Sequence, residues 1–225
     1  MILKILSSNV RGLNSFNKRD IVKKMLKEWQ GDVVCLQETK LDSTNSTIVK
    51  SLWGSPFVDW VVLDAIHIVG GILDAIHTVG GILLAWDRRV FEKVDCFVGR
   101  FSISVMLTGV VDRFEWVCLG VYGPSDDGAR NALWVELVSV RLWWSLAWCL
   151  VGDSNIIRYP VERLGCNSFS LAMFKFFDFT EKSNLVDLPL EGGGDYTWFQ
   201  DSDNPSMSRI DRALVQLTGR ITFWM

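Results

Sequence analysis

Three apolar runs in the sequence stop abruptly at side chains whose oxygens could hold a hard cation or a phosphate. Ile2–Ser8 runs into Asn9-Val10-Arg11-Gly12, Val33–Leu36 into Gln37-Glu38-Thr39-Lys40, and Trp148–Val151 into Gly152-Asp153-Ser154-Asn155. A further cluster, Ser208-Arg209-Ile210-Asp211-Arg212, opens the apolar stretch Ala213–Val215. Carboxylate and amide oxygens are hard ligands, suited to Mg²⁺ or Mn²⁺ and poorly suited to zinc without His or Cys partners. A metal held by Glu38 and its neighbours could neutralise charge on a phosphodiester under attack. Asp153 could then orient or deprotonate the attacking water. Asn155, and the phenol of Tyr122 in Val121-Tyr122-Gly123-Pro124, could hydrogen-bond the phosphate. Taken singly, an acid at a strand end more commonly caps a turn or faces water. The ordered set carries the argument.

Elements that would deliver these residues can be read from hydrophobic period. Strand patterns cover Ile2–Val10, Val33–Gln37, Phe57–Leu63, Ile82–Trp86, Val94–Leu107, Phe114–Tyr122, Trp148–Val151, Tyr196–Phe199 and Ile210–Val215. A first helix is expected from a cap near Asn17, with Ile21, Met25 and Trp29 on one face and Gly31 ending it. Helical spacing recurs over Ala129–Leu146 and Ser168–Lys182. Trp143, Trp144 and Trp148 invite comparison with a base-stacking platform, but their apolar setting favours core packing. Many strands with helices at intervals, some strands hairpin-like neighbours, predict a layered α/β protein whose sheets are not purely parallel.

Composition sets bounds. At 225 residues and 49% apolar, with no Pro-, Ser- or charge-rich linker, residues 1–225 read as one domain with a sizeable core. A net charge of −3 gives no general attraction to nucleic acid. Lys4, Lys18, Arg19, Lys23, Lys24 and Lys27 make the nearest approach to a basic cluster, expected to be a solvated helix face away from any DNA. Cys35, Cys96, Cys118, Cys149 and Cys166 are odd in number and lack paired spacing, as expected of reduced thiols in an intracellular protein. Val58–Trp86 and Leu133–Val151 are apolar but interrupted by charges, so no membrane span is expected. The segment Val62–Gly71 is repeated almost unchanged as Ile72–Gly81, and it holds both histidines, His67 and His77. One tandem copy does not make a solenoid, and the histidines are expected at a loop or strand edge.

In their order, Asn9-Val10-Arg11-Gly12-Leu13-Asn14, Leu36-Gln37-Glu38-Thr39-Lys40, Val121-Tyr122-Gly123-Pro124, Gly152-Asp153-Ser154-Asn155 and Ser208-Arg209-Ile210-Asp211-Arg212 resemble the endonuclease/exonuclease/phosphatase superfamily. Within it, Gly80–Asp87 and Tyr196-Thr197-Trp198 are similar to the endonuclease domain of plant LINE-type retrotransposon polyproteins. The resemblance implies an α/β fold, a four-layer α/β/β/α sandwich of two mainly antiparallel, mixed sheets with outer helices. It implies a metal set of Asn9, Glu38, Asp153 and Asn155, catalytic roles for Tyr122, Asp153, Asn155 and Asp211, and Mg²⁺ (or Mn²⁺) as cofactor. The implied partner is DNA, nicked to leave a 3′-hydroxyl, with action in the nucleus by a monomer. The pattern also departs from the family's. Ser8 stands where tryptophan is usual, Ser154 where phenylalanine is usual, and the family's closing Ser-Asp-His motif and last core strand find no counterpart up to Met225. Weakened or absent catalysis, or a remnant that binds nucleic acid without cutting it, is therefore expected alongside the endonuclease reading. A phosphatase or exonuclease of the same superfamily is the other alternative.

Overall fold

A computed structural model of the chain describes residues 3–41, 43–65, 80–189, 194–201 and 205–216, with the backbone of 223–224. Two sheets lie face to face. The first contains β1 (Leu3–Asn9), β2 (Val33–Gln37), β3 (Val58–Leu63) and β4 (Ile82–Asp87). The second is built from β5 (Phe91–Val98), β6 (Ser102–Gly109), β7 (Glu115–Tyr122), β8 (Ala147–Asp153), β9 (Val186–Asp187) and β12 (Asp211–Val215). A hairpin of β10 (Trp198–Gln200) and β11 (Ser206–Ser208) stands apart, and β13 (Phe223–Trp224) lies beside β1. The strand orders are β13-β1-β2-β4-β3 and β5-β6-β7-β8-β12-β9. The pairs β1–β2, β1–β13 and β7–β8 are parallel and the rest antiparallel. This is the mixed α/β architecture expected.

Alternation explains the layers. On β2, Val33 and Cys35 enter the core between the sheets, while Val34 and Leu36 meet the outer helices α1 (Phe16–Trp29) and α2 (Ser46–Trp53). On β8, Cys149 and Val151 face inward, while Trp148 and Leu150 pack under α3 (Asp127–Trp143) and α4 (Leu171–Lys182). Strands covered on both faces need apolar residues at successive positions, hence the unbroken runs seen in the sequence. Such a run can end in an acid only where the sheet ends.

Several expectations shift in detail. Ser15, not Asn17, caps α1, its hydroxyl accepting from the Lys18 amide at 3.3 Å. The buried face of α1 is Val22 and Leu26, while Ile21 and Trp29 are exposed. Helix α2, capped by Asn45, was not evident because Ser46, Thr47, Lys50 and Ser51 dilute its apolar face. The single long strand expected over Val94–Leu107 is a hairpin broken at Gly99-Arg100-Phe101, where Glu136 of α3 accepts from the Arg100 and Phe101 amides. Trp144 and Trp148 are core residues, but Trp143 is 68% exposed. The edge of β1, where the family's closing strand was missed, is paired over two residues by Phe223–Trp224. His67, His77 and most of the duplicated segment lie outside the described residues. Among the described residues no helix is long and apolar enough to cross a membrane.

Candidate active site

Parallel pairing of β1 with β2 and of β7 with β8 brings four strand ends to one rim of the sandwich. Asn9 ends β1, Glu38 follows β2, Tyr122 ends β7 and Asp153 ends β8. Antiparallel β12 starts at the same rim, with Asp211 opposite Asp153 in register. Residues far apart in sequence therefore meet without long loops. The turns that follow are tight: Arg11, Glu38, Lys40 and Asn155 all have left-handed φ of 49–52°. Side chains other than glycine rarely adopt that conformation, and four of the seven such residues among those described lie at this rim.

Hydrogen bonds join the acids and amides directly. Asn9 Nδ2 donates to Glu38 Oε1 at 3.0 Å and lies 3.3 Å from Asp153 Oδ2. The Tyr122 hydroxyl donates to Glu38 Oε1 at 2.7 Å. Asn155 donates its backbone N–H to Asp153 Oδ1 at 2.8 Å and its side-chain amide to the Gly123 carbonyl at 2.6 Å. The Gly123 N–H returns a bond to the Asp153 carbonyl at 2.7 Å, so the loops after β7 and β8 are stitched both ways. All six residues singled out from the sequence are thus gathered, Asp211 through its register with Asp153.

Charge is unevenly distributed over the carboxylates. Burial raises the Asp153 pKa to about 7, and the neighbouring Asp211 adds to the effect. Asp211 is raised too, again chiefly by burial, although the Thr197 hydroxyl, accepting from the Asp211 N–H at 3.0 Å, sits against it. Burial also acts on Glu38, but bonds from Asn9 and Tyr122 and the nearby Lys40 outweigh it and lower the pKa. Burial and the Glu38 carboxylate push the Tyr122 phenol upward, keeping it a neutral donor.

Sequence reasoning missed the cations around this rim. Lys40 Nζ is 3.6 Å from Glu38 Oε2. Lys18, expected on a solvated face away from the site, donates to the Arg11 carbonyl at 2.6 Å. The Arg11 N–H in turn donates to Asn9 Oδ1 at 3.2 Å. Arg11 and Lys40 lay inside the quoted motifs, and their charge was the available signal. Arg130 of α3 was missed as well: its guanidinium donates to the Ser125 and Asn155 carbonyls at 2.5 and 3.1 Å. Ser154, a departure from the resembled pattern, is buried with its hydroxyl 2.7 and 3.0 Å from the carbonyls of Ile210 and Ile156. It therefore ties the end of β8 to the segment leading into Asp211.

Residues 6–221 match the sequence profile of the endonuclease/exonuclease/phosphatase family. The chain belongs to that family. The family's members are hydrolases, nucleases and phosphatases among them. Solved structures agree on the fold. The endonuclease domain of TRAS1, a telomere-specific non-LTR retrotransposon, aligns with a TM-score of 0.66 at 11% identity over 95% of this chain and 85% of that one. An AP endonuclease from Archaeoglobus fulgidus gives 0.66 at 15% identity over 96% and 87%. The catalytic domain of human Nocturnin gives 0.63 at 15% identity over 95% and 82%. Comparison with curated protein sequences returned no match.

Could this rim hold a divalent metal? Among the described residues no three His, Cys, Asp or Glu side chains form a ready-made cage. Mg²⁺ does not need one, since it keeps several waters and takes one or two carboxylates plus substrate phosphate. The donors present are all oxygens. A cation beside Asp153 would also relieve the unfavourable ionisation that burial and Asp211 impose on it. The residues fit the group.

Proposed function

We propose that the chain is a metal-dependent phosphodiesterase of the DNA-endonuclease type, a single unit of the kind that nicks target DNA for a LINE-type retrotransposon of plants. The observation that carries the reading is the meeting of Asn9, Glu38, Tyr122, Asp153 and Asn155 at one rim, with a near-neutral acid at its centre. Glu38, with Asn9, Asp153 and Asn155 around it, would hold Mg²⁺ or Mn²⁺, which supplies charge neutralisation at the phosphate. Asp153, ionised once a cation relieves the burial that raises its pKa, would orient or deprotonate the attacking water. Asn155 and Tyr122 hold the phosphate oxygens by exchanging their present partners, Gly123 O and Glu38, for substrate. Asp211 keeps Asp153 from ionising too early, because like charges at adjacent register positions oppose each other. Arg11, Lys18 and Lys40 line the rim where phosphates flanking the cut would pass, which gives DNA a local attraction despite the overall charge.

The experiment is nicking of supercoiled plasmid with Mg²⁺, run beside Glu38→Ala. Nicking lost in the variant supports the reading, and no nicking by folded protein refutes it. A remnant that binds DNA without cutting is the second reading, suggested by Ser8 and Ser154 where the resembled pattern has aromatic residues. A phosphatase of the same family remains the third, in line with a mannosyl-6-phosphatase of Bacteroides thetaiotaomicron among the structural neighbours. Release of inorganic phosphate from a phosphomonoester would select it. Five unpaired thiols suit a reducing, intracellular compartment, and a DNA substrate places the monomer in the nucleus.

A further inference from the structure

A shelf of outward-facing rings begins four residues beyond Asn155. Tyr159, Phe169, Phe174 and Phe177 are all exposed. Phe169 and Phe174 stack with centroids 5.4 Å apart, and Tyr159 meets Phe177 edge-on at 6.5 Å. Phe174 and Phe177 sit one turn apart on α4, so the two ring pairs join into one surface. Arg158 lies over Tyr159 and Phe177 at 5.2 and 5.3 Å. Core packing does not account for rings left in water, and a contiguous apolar surface of this kind marks an interaction site.

Three further cations lie on the elements that carry or adjoin the shelf. Arg130 is anchored on the Asn155 carbonyl. Arg163 donates Nε to Ser208 Oγ at 2.9 Å, and Lys175 of α4 donates to Asn131 Oδ1 at 2.8 Å, beside Arg130 on α3. Among the described residues neither Arg163 nor Lys175 forms an ion pair. Burial lowers the pKa of Arg130, the neighbouring Asp127 and Asp126 act to raise it, and Arg163 lies near enough to lower it again.

We propose that Arg130, Arg163 and Lys175, with the rings of Tyr159, Phe174 and Phe177, bind an unpaired nucleic-acid strand leading out of the active site. A duplex carrying a single-stranded extension is then the substrate class held best. Base faces stack on aromatic rings without sequence preference, and the backbone tracks the cations. Two features favour this occupant over a protein. The shelf begins four residues beyond Asn155, and although Arg158 pairs with Glu181 and Arg130 with Asp127, Arg163 and Lys175 form no ion pair among the described residues and are left to meet a phosphate backbone. The direction of the strand rests on the phosphodiesterase reading; the existence of the subsite does not.

Fluorescence anisotropy in EDTA, where nothing is cut, tests it with a blunt duplex and the same duplex bearing a thymidine or uridine extension. The extension is expected to tighten binding about tenfold. Phe174→Ala with Phe177→Ala should abolish that gain and leave the blunt duplex unchanged. Arg163→Gln with Lys175→Gln should reduce the salt dependence of extended-duplex binding by about one unit of slope. Equal binding of the two DNAs, or a gain that survives loss of the rings, overturns the proposal. So does a dimer in sedimentation that Phe174→Ala dissociates while the extension has no effect, which would assign the shelf to a second copy of the chain. Failure of the phosphodiesterase reading looks different: the extension gain persists and no DNA is nicked with Mg²⁺.

Discussion

Replacing Arg212 by methionine should cost a large share of the chain's stability, although the residue touches no proposed substrate atom. Its side chain is 0% exposed. It donates Nη1 to Glu162 Oε1 at 2.8 Å and to Asp187 Oδ2 at 2.6 Å, and pairs Nη2 with Glu162 Oε2. Glu162 also accepts the Arg158 and Tyr159 amides at 2.6 and 3.0 Å, and Arg209 holds Asp187 at 3.1 Å. Removing Arg212 leaves Glu162 a buried carboxylate with few donors, a change of about 3–5 kcal/mol. Against a total of roughly 5–15 kcal/mol, that is severe. A domain of this size loses about 2–4 °C of Tm per kcal/mol, so a fall of roughly 6–20 °C is expected by thermal circular dichroism. Adding Glu162→Gln to Arg212→Met should recover part of the loss, because the unpaired charge is gone. A fall of less than about 2 °C, or two losses that simply add, would refute the reasoning.

Other consequences are as direct. Burial acts to raise the Glu162 pKa, but Arg212 outweighs it and the folded value is lowered, so this stabilisation is full above the ordinary 4.5 and lost as pH falls through the folded value in acid urea titrations. Asp153 has the opposite sign: raised from 3.8 to about 7, it holds its proton longer when folded, so its contribution to stability declines as pH rises through that window. Mg²⁺ should therefore raise Tm more at about pH 8 than at about pH 5.5, and an equal shift at both would count against metal beside Asp153. Tyr122→Phe should lower kcat for nicking about a hundredfold in steady-state assays, with little change in Tm. Gly152→Ala should unfold or strongly destabilise the chain in urea titrations, because φ is +133° and the added Cβ would overlap the Val121 carbonyl.

What could be read from the sequence was what is local. Strand ends showed because an apolar run covered on both faces must stop at the sheet's rim, and Asn9, Glu38, Asp153 and Asp211 sit where those runs stop or start. Their mutual contact was not local: Asn9 and Asp153 are 144 positions apart, and only the register of β1, β2, β7 and β8 brings them together. The ionic cluster was invisible for the same reason, since Arg212 finds Glu162 and Asp187 at separations of 50 and 25. The buried face of α1 was misjudged because Ile21 and Val22 are both apolar, and only packing against β2 decides between them. Lys18 was assigned to solvent as one of several lysines on a helix, a judgement that ignored the turn of Arg11 and Gly12 folding back toward it.

The central claim is that the gathered rim hydrolyses a phosphodiester of DNA, leaving an end on which synthesis can start. The most direct measurement is polymerase extension from plasmid treated with the chain and Mg²⁺, compared with the Glu38→Ala variant. The account predicts labelled nucleotide incorporated only after treatment with the unsubstituted chain, at nicks bearing 3′-hydroxyl ends. Incorporation equal to untreated plasmid, from folded protein that binds the same DNA, would contradict it.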